Sequence, residues 1–248
     1  MSTIILVRHG ENDWSKKNKL AGHLPGVHLN QTGHRQAQAV AQRLAALPVK
    51  AIYSSPVTRC METAAYIADT HRQTVLQLEA VAEVRYGQWE GKKIKKLAKL
   101  PLWRAVQFFP SRMRFPDGEA LREVQFRSVQ ALETISRKHE KDLVVVVSHA
   151  DVIRLVLAHY LGVHIDLFQR LVISPAAASV IVLSSDGFVR VLRLNDDGPL
   201  QITEPTDKKK PKEKAKSGRS KKPPFPPDHE TIGRESAVDL SPIMDEEE

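Results

Sequence analysis

Two apolar runs in this chain end in the same unusual way, and that coincidence constrains the fold more than any other feature. Residues 4–7, Ile-Ile-Leu-Val, lead straight into Arg8-His9-Gly10-Glu11. Residues 142–147, Asp-Leu-Val-Val-Val-Val, lead into Ser148-His149-Ala150-Asp151. An unbroken β-branched run without polar alternation is the signature of a strand covered on both faces, as in parallel sheets. In open α/β sheets ligands bind at the carboxyl ends of such strands. Imidazoles at two strand ends, one beside a guanidinium, therefore predict an anion site containing a nucleophile or a base. Asp151 is predicted to cap a helix over 152–161, which puts His149 near a helix N-terminus, where anions are favoured.

A third strand end follows the pattern. Residues 51–54 read as a short strand, Pro56 marks a helix start, and Arg59 falls in the first helical turn. First turns favour acidic side chains, so Arg59 breaks a local rule, and such breaks concentrate at functional sites. Each of these residues taken singly reads as a polar loop or a surface helix. Their recurrence at three strand ends is what carries the anion-site reading.

Strand-like and helix-like runs alternate along most of the chain. This predicts an α/β three-layer sandwich with a mostly parallel central sheet flanked by helices. The 248 residues suffice for one such domain with a sizeable core. Residues 178–183 and 188–194 read as strands joined by a hairpin turn at Ser185-Asp186-Gly187. After Leu200 the composition becomes rich in Lys and Pro and closes on Asp245-Glu246-Glu247-Glu248. The expectation is a domain over 1–202 and a disordered tail over 203–248, which lacks the apolar residues to bury. The tail holds 10 Lys/Arg against 11 Asp/Glu, which leaves 27 against 18, or +9, to the domain and suits an anionic substrate. The basic block 208–222 could touch nucleic acid, membrane or another protein, but a solvated disordered tail is the favoured reading.

The single cysteine, Cys60, excludes an intrachain disulfide and reads as a small buried helix residue. No apolar run approaches the length of a membrane span, so membrane insertion is not expected. A cleavable leader would remove His9 with the first strand, which makes a cytoplasmic location the expectation.

In order along residues 3–195, five motifs resemble those of the histidine phosphatase superfamily, in its phosphoglycerate-mutase-like branch. They are Leu6-Val7-Arg8-His9-Gly10-Glu11; Leu29-Asn30-Gln31-Thr32-Gly33 continuing to Gln36-Ala37; Ser54-Ser55 with Arg59, Thr63 and Ala64; Glu83-Val84-Arg85-Tyr86-Gly87-Gln88-Trp89-Glu90-Gly91; and Gly118-Glu119 followed by Val147-Ser148-His149. The resemblance implies a phosphomonoester hydrolase acting through a phosphohistidine on a small anionic phosphorylated metabolite. It assigns His9 as nucleophile and Glu83 as the acid that protonates the leaving oxygen. It places Arg8, Arg59 and His149 on the phosphoryl group, with Ser15 and Gly22 lending further contacts, and it implies no cofactor and no metal.

The residue types suit that chemistry. A phosphomonoester is a dianion whose hydrolysis is mainly a matter of positioning and charge stabilisation. A neutral imidazole attacks phosphorus in line and divides one hard step into two. Forked guanidinium donors match equatorial phosphoryl oxygens. His149 is expected to be protonated and to add a third positive group. A carboxylic acid serves first as proton donor and then as the base that activates water. Glu90 competes with Glu83 for this role and is read as structural.

Two departures from the family pattern stand out. Ser15 occupies a position where relatives often carry Asn, and Ala21 one where they carry Ser or Thr. A weaker phosphate grip follows, since Ala21 offers only its backbone. Mutases of this family carry Arg where Val84 stands and a longer insertion than residues 91–116 provide. A phosphatase is therefore expected, with a phosphoglycerate-type phosphomutase as the alternative. The segment 91–116, with Lys92, Lys93, Lys95, Lys96, Lys99 and Arg104 among apolar residues, reads as a basic amphipathic cap over the site, to which Arg112 and Arg114 add cations. An alternative of another class is a non-catalytic phosphate-binding module whose working part is the basic tail. Retention of all five reactive residues argues against it.

Overall fold

A computed structural model describes residues 1–184 and 186–198. The predicted tail 203–248, the end of the predicted domain and Ser185 of the predicted hairpin turn lie outside the described residues.

The elements run β1 (Ser2–Arg8), α1 (Asp13–Lys16), α2 (Gln31–Leu44), β2 (Val49–Ser54), α3 (Thr58–His71), β3 (Val75–Gln77), α4 (Ile94–Leu97), α5 (Trp103–Phe108), α6 (Leu121–Lys138), β4 (Leu143–Ser148), α7 (Ala150–Tyr160), β5 (Ala178–Leu183) and β6 (Val189–Asp196). The strands form one six-stranded sheet in the order β3-β2-β4-β1-β5-β6. The first four strands in sequence are mutually parallel, while β5 runs antiparallel to β1 and β6 antiparallel to β5. The sheet is thus mixed and mostly parallel.

Alternation along the central strands builds the three layers. Ile4, Leu6, Val144 and Val146 point into a core shared with α6 and α7. Ile5, Val7, Val145 and Val147 point the other way, into a core shared with α2 and α3. All four valines of β4 are fully buried, each contributing roughly 1.5–3 kcal/mol of apolar burial. This is why β4 tolerates no polar alternation.

The strand order does the essential work for the site. Because β4 lies between β1 and β2, the three reactive strand ends become neighbours. Arg8 pairs with Ser148, and Ser54 with Val147. The ladder continues one step into the loops, where His9 N donates to Ser148 O at 3.0 Å and Ser55 N to Val147 O at 2.9 Å. His9, Ser55 and His149 are thereby set at one height above the sheet.

Two sequence expectations are corrected. The helix after β4 begins at Ala150, with His149 itself at the cap position in an extended conformation. Asp151 is therefore in the first turn and does not cap it. The segment over 91–116 is two short helices, α4 and α5, and not one amphipathic helix. Pro101 separates them, and a residue before proline is held away from the helical region.

Candidate active site

His9 ends β1 and is buried. Its Nδ1 lies 2.7 Å from Gly10 O, and Arg59 Nε donates to its Nε2 at 3.1 Å. A carbonyl can only accept, so Nδ1 carries the proton and Nε2 holds the lone pair. Burial, and then the charges of Arg59 and Arg8, push His9 well below the ordinary imidazole range. The ring is therefore neutral, with a free electron pair directed at the cation above it.

Arg59 is the centre of the constellation and is only 1% exposed. Its Nη2 donates to Gly22 O at 3.2 Å, approaches Glu83 Oε2 at 3.4 Å, and donates to His149 Nδ1 at 3.0 Å. Its Nη1 is buried with no partner among the described residues. A buried guanidinium nitrogen without an acceptor is costly unless a ligand supplies one.

His149 is fully buried, its Nε2 2.8 Å from Ser55 Oγ. Burial comes first, then the charge of Arg59, in holding it well below the usual imidazole range. The expected imidazolium is therefore absent from the free site. Arg59 donates to Nδ1, which leaves Nε2–H to donate to Ser55. A bound phosphoryl dianion would offset Arg59 and raise the proton affinity of His149 at that moment.

Glu83 follows the short helical turn after β3. The residue is 8% exposed, and burial pushes its pKa up to about 7, against the opposing pull of Arg59. That value suits a group that must give a proton and take one back near neutral pH. Its backbone carbonyl is held twice, by His23 Nε2 at 2.6 Å and by Arg127 Nη2 at 3.2 Å. Arg127 is itself clamped by Glu119 through Nε and Nη2.

The motifs outside the reactive set now have physical roles. Asn30 caps α2 and donates through Nδ2 to Glu11 Oε1, while Gln36 accepts from Glu11 N. A Cβ on Gly33 would sit 2.0 Å from Glu11 O, so the loop after His9 rests directly on the start of α2. Thr63 Oγ1 accepts from Gly10 N and donates to Arg59 O, tying the nucleophile loop to α3. A Cβ on Gly118 would sit 2.2 Å from Arg85 O, and one on Gly87 2.0 Å from Pro116 O. The acid segment and the segment before α6 are therefore packed backbone to backbone.

A cavity of about 370 Å³ opens here, lined by Arg8, His9, Ser15, Arg59, Glu83 and Arg154, among others. A larger hollow of about 630 Å³ lies beside Ser2 at the opposite end of β1 and holds none of the reactive residues. Chemistry decides between them in favour of the smaller one. Arg8 is half-buried in effect: its Nη1 donates to Ile173 O and its Nε is buried without a partner among the described residues. Ser15 lines the cavity, but its hydroxyl donates to Asn12 O and accepts from Asn12 N in a capping box on α1. Gly22 has φ +53°, and a Cβ there would meet the Glu90 carboxylate at 2.4 Å. Glu90 thus packs against the Gly22 loop and does not line the cavity.

Lys19, Tyr86, Asp151 and Arg154 are among the further lining residues that the sequence reading did not assign to the site. Asp151 and Arg154 are one helical turn apart just after His149, a spacing that carried the signal. The expected cap cations are not in the cavity. Of the segment 91–116 only Ile94 lines it, and Lys92, Lys93, Lys95, Lys96 and Lys99 are exposed to solvent. Arg114 pairs with Glu123 instead. Among the described residues, no three His, Cys, Asp or Glu side chains gather as a metal-holding group, and no helix is long and apolar enough to cross a membrane.

Comparison with known proteins agrees with this geometry. The family profile described as histidine phosphatase superfamily, branch 1, matches residues 4–197. Phosphoserine phosphatase 1 of Hydrogenobacter thermophilus is 32% identical over 197 residues, which is 79% of this chain and 92% of that protein. Phosphoglycerate mutase-like protein 4 of Arabidopsis thaliana is 36% identical over 157 residues, 61% of this chain and 67% of that protein. The solved structure of Bacillus stearothermophilus YhfR superposes with a TM-score of 0.74 at 25% identity, covering 79% of this chain and 98% of that one.

Proposed function

The chain belongs to branch 1 of the histidine phosphatase superfamily, and from that premise we propose that it hydrolyses a small phosphorylated metabolite through a phosphohistidine on His9. It is an enzyme of the histidine-phosphatase type. The observation that carries the mechanism is the pair of contacts on His9. Gly10 O fixes the proton on Nδ1, and Nε2 faces Arg59 at the cavity wall.

In the first step a phosphoryl group enters between His9 and Arg59 and takes over the Arg59 donors, including the unpartnered Nη1. Arg8 supplies a second fork. Neutral Nε2 attacks phosphorus as the ester oxygen departs on the far side, and Glu83 gives that oxygen its proton. The entering phosphate monoanion passes its own proton to His149 Nδ1, the position that Arg59 Nη2 vacates as it turns to the phosphoryl oxygens. In the second step ionised Glu83 takes a proton from water, which attacks the phosphohistidine and frees His9. Ser15 and the backbone at Gly22 would add weaker contacts, since the Ser15 hydroxyl is already engaged in its cap. No step calls on a cofactor.

A phosphomutase would need further cations to hold a second substrate group against water. Val84 is fully buried, and the cap lysines are turned to solvent. Both facts favour hydrolysis. A relative named as a phosphoserine phosphatase supports a small carbon skeleton as leaving group. The experiment is release of inorganic phosphate from p-nitrophenyl phosphate, with a matched assay for phosphoryl transfer to a second phosphoglycerate. Release without transfer is expected. Transfer without release makes the protein a mutase, and neither activity makes it a binding module.

A further inference from the structure

We propose that His23 is a positioning residue for the Glu83 acid: its ring N–H holds the Glu83 peptide, so that the carboxyl stands where a departing oxygen can take its proton. This rests on the phosphatase reading and on Glu83 as its proton donor. It adds a residue from outside the five sequence motifs.

Glu83 lies in a stretch, residues 83–86, that belongs to neither helix nor strand. No backbone donor among the described residues reaches its carbonyl. A buried carbonyl without a ladder partner must find another donor. Two side chains converge on it, His23 Nε2 at 2.6 Å and Arg127 Nη2 at 3.2 Å. A carbonyl only accepts, so His23 Nε2 carries the ring proton. The carboxyl itself is held loosely. Oε1 accepts at 3.0 Å from the backbone N–H of the next residue, Val84, and Oε2 approaches Arg59 and His149 no closer than 3.4 Å. Where the acid stands therefore depends on where its peptide is held.

The two donors are not equivalent. Arg127, on α6, is fixed on every side: Glu119 accepts from its Nε and Nη2, and Ala80 O accepts from its Nη1 at 2.7 Å. His23 comes from the loop after α1. It follows Gly22, whose carbonyl accepts from Arg59 Nη2 at 3.2 Å. One short loop thus answers both to the guanidinium that takes the phosphoryl group and to the acid that serves the leaving oxygen. His23 does not line the cavity, so it touches no substrate and acts through Glu83. A shift of about 1 Å in a reacting group is enough to cost about a hundredfold in rate.

The test reads leaving-group dependence in the full chain. The aryl ester is p-nitrophenyl phosphate, and the alkyl ester is the fastest among phosphoserine, 3-phosphoglycerate and glycerol 3-phosphate. His23→Phe keeps a flat ring and removes the donor. It should lower kcat/KM for the alkyl ester by about tenfold or more and for the aryl ester by much less, so that the alkyl-to-aryl ratio falls at least about fivefold. His23→Gln, whose amide N–H2 donates, should restore most of the ratio. In a Glu83→Gln background His23→Phe should leave the ratio unchanged, because the two residues act as one unit. Each ratio is taken within one preparation, so partial misfolding cancels. Equal losses on both esters in His23→Phe, or a further fall of the ratio in the double variant, overturn the proposal. If Glu83→Gln itself shows no leaving-group-dependent loss, or only the aryl ester is hydrolysed, the assignment of the acid fails and the role of His23 with it. If no phosphate is released from any ester, the phosphatase reading fails.

Discussion

Arg59 donates to His9 through its Nε at 3.1 Å, so the proposed nucleophile meets its main electrostatic partner before any substrate arrives. The contact does three things at once. It fixes the Nε2 lone pair toward the guanidinium, it adds to burial in keeping the imidazole neutral, and it holds a guanidinium where the proposed mechanism develops negative charge. Such prearranged dipoles and charges need no reorganisation when the phosphoryl group reacts.

Removing the nucleophile should leave this electrostatic frame without its chemistry. His9→Ala is expected to lower kcat by at least about a thousandfold and to abolish the labelled phosphoenzyme. In the unaltered protein that intermediate should be labile to acid and stable to alkali. Full turnover in His9→Ala would remove the mechanism.

The loop after His9 has no room to move away from α2. A Cβ on Gly33 would lie 2.0 Å from Glu11 O, a backbone atom that cannot swing aside. Gly33→Ala should therefore destabilise the fold by about 1–3 kcal/mol, read as a lower midpoint in urea unfolding, and should reduce kcat/KM because the nucleophile loop must shift. Unchanged midpoint and activity would mean that the loop packs less tightly than the backbone contact requires.

Glu83 sets a distinct pH dependence. Burial raises its pKa from the ordinary carboxylate range to about 7. A raised folded value means that this group's contribution to stability is fully present below the unfolded value and is lost as pH rises through about 7. Two measurements follow. With alkyl phosphates, kcat/KM should fall above this pH in the unaltered protein, because ionised Glu83 has no proton to give. Glu83→Gln should abolish that limb and should gain stability relative to the unaltered protein between pH 5 and 8, by at most about 3 kcal/mol. A limb that survives in Glu83→Gln belongs to another group.

Chelation offers a separate check on the charge balance. In the proposed mechanism Arg8 and Arg59 supply the positive charge, with no divalent ion called for. Exhaustive treatment with a chelator should leave kcat/KM within about twofold, and vanadate should inhibit by adopting the five-coordinate geometry of the in-line transition state. Activity lost on chelation and restored by a divalent ion would reassign part of the mechanism to a metal.

The strand ends were readable because their signal is local. A valine run stops, and a polar reactive residue follows at once, as at Val147-Ser148-His149. The three-layer architecture followed from the alternation of such runs with helical ones. The cap was misread because Lys92–Lys99 has the spacing of an amphipathic helix, while Pro101 and the single deeply buried Leu97 make it a short turn anchored from one side. Further anchoring comes from Trp103, which stacks on Trp89 with centroids 6.0 Å apart. The charge of His149 was misjudged because sequence shows a histidine near an anion site but not the complete burial and the Arg59 contact that together disfavour a second proton in the free protein. Asp151 was read only as a cap, and Arg154 was not singled out, for a related reason. They sit among the apolar residues of α7, and Asp151 is held by Tyr86, which is distant in sequence.

Leaving-group dependence separates the two glutamates of the acid segment. Glu83 is buried beside Arg59 and His149, whereas Glu90 packs against Gly22 outside the cavity. An alkoxide cannot depart without a proton, but an activated phenolate can. Glu83→Gln should therefore lower kcat/KM for an alkyl phosphate by about a hundredfold or more, and that for p-nitrophenyl phosphate by far less. Glu90→Gln keeps the shape that supports the Gly22 loop, so it should lower both by a similar small factor. The ratio of the two kcat/KM values in each variant is the measurement. A leaving-group-dependent loss in Glu90→Gln, with none in Glu83→Gln, would transfer the acid role to Glu90 and would require the Gly22 loop to open during turnover.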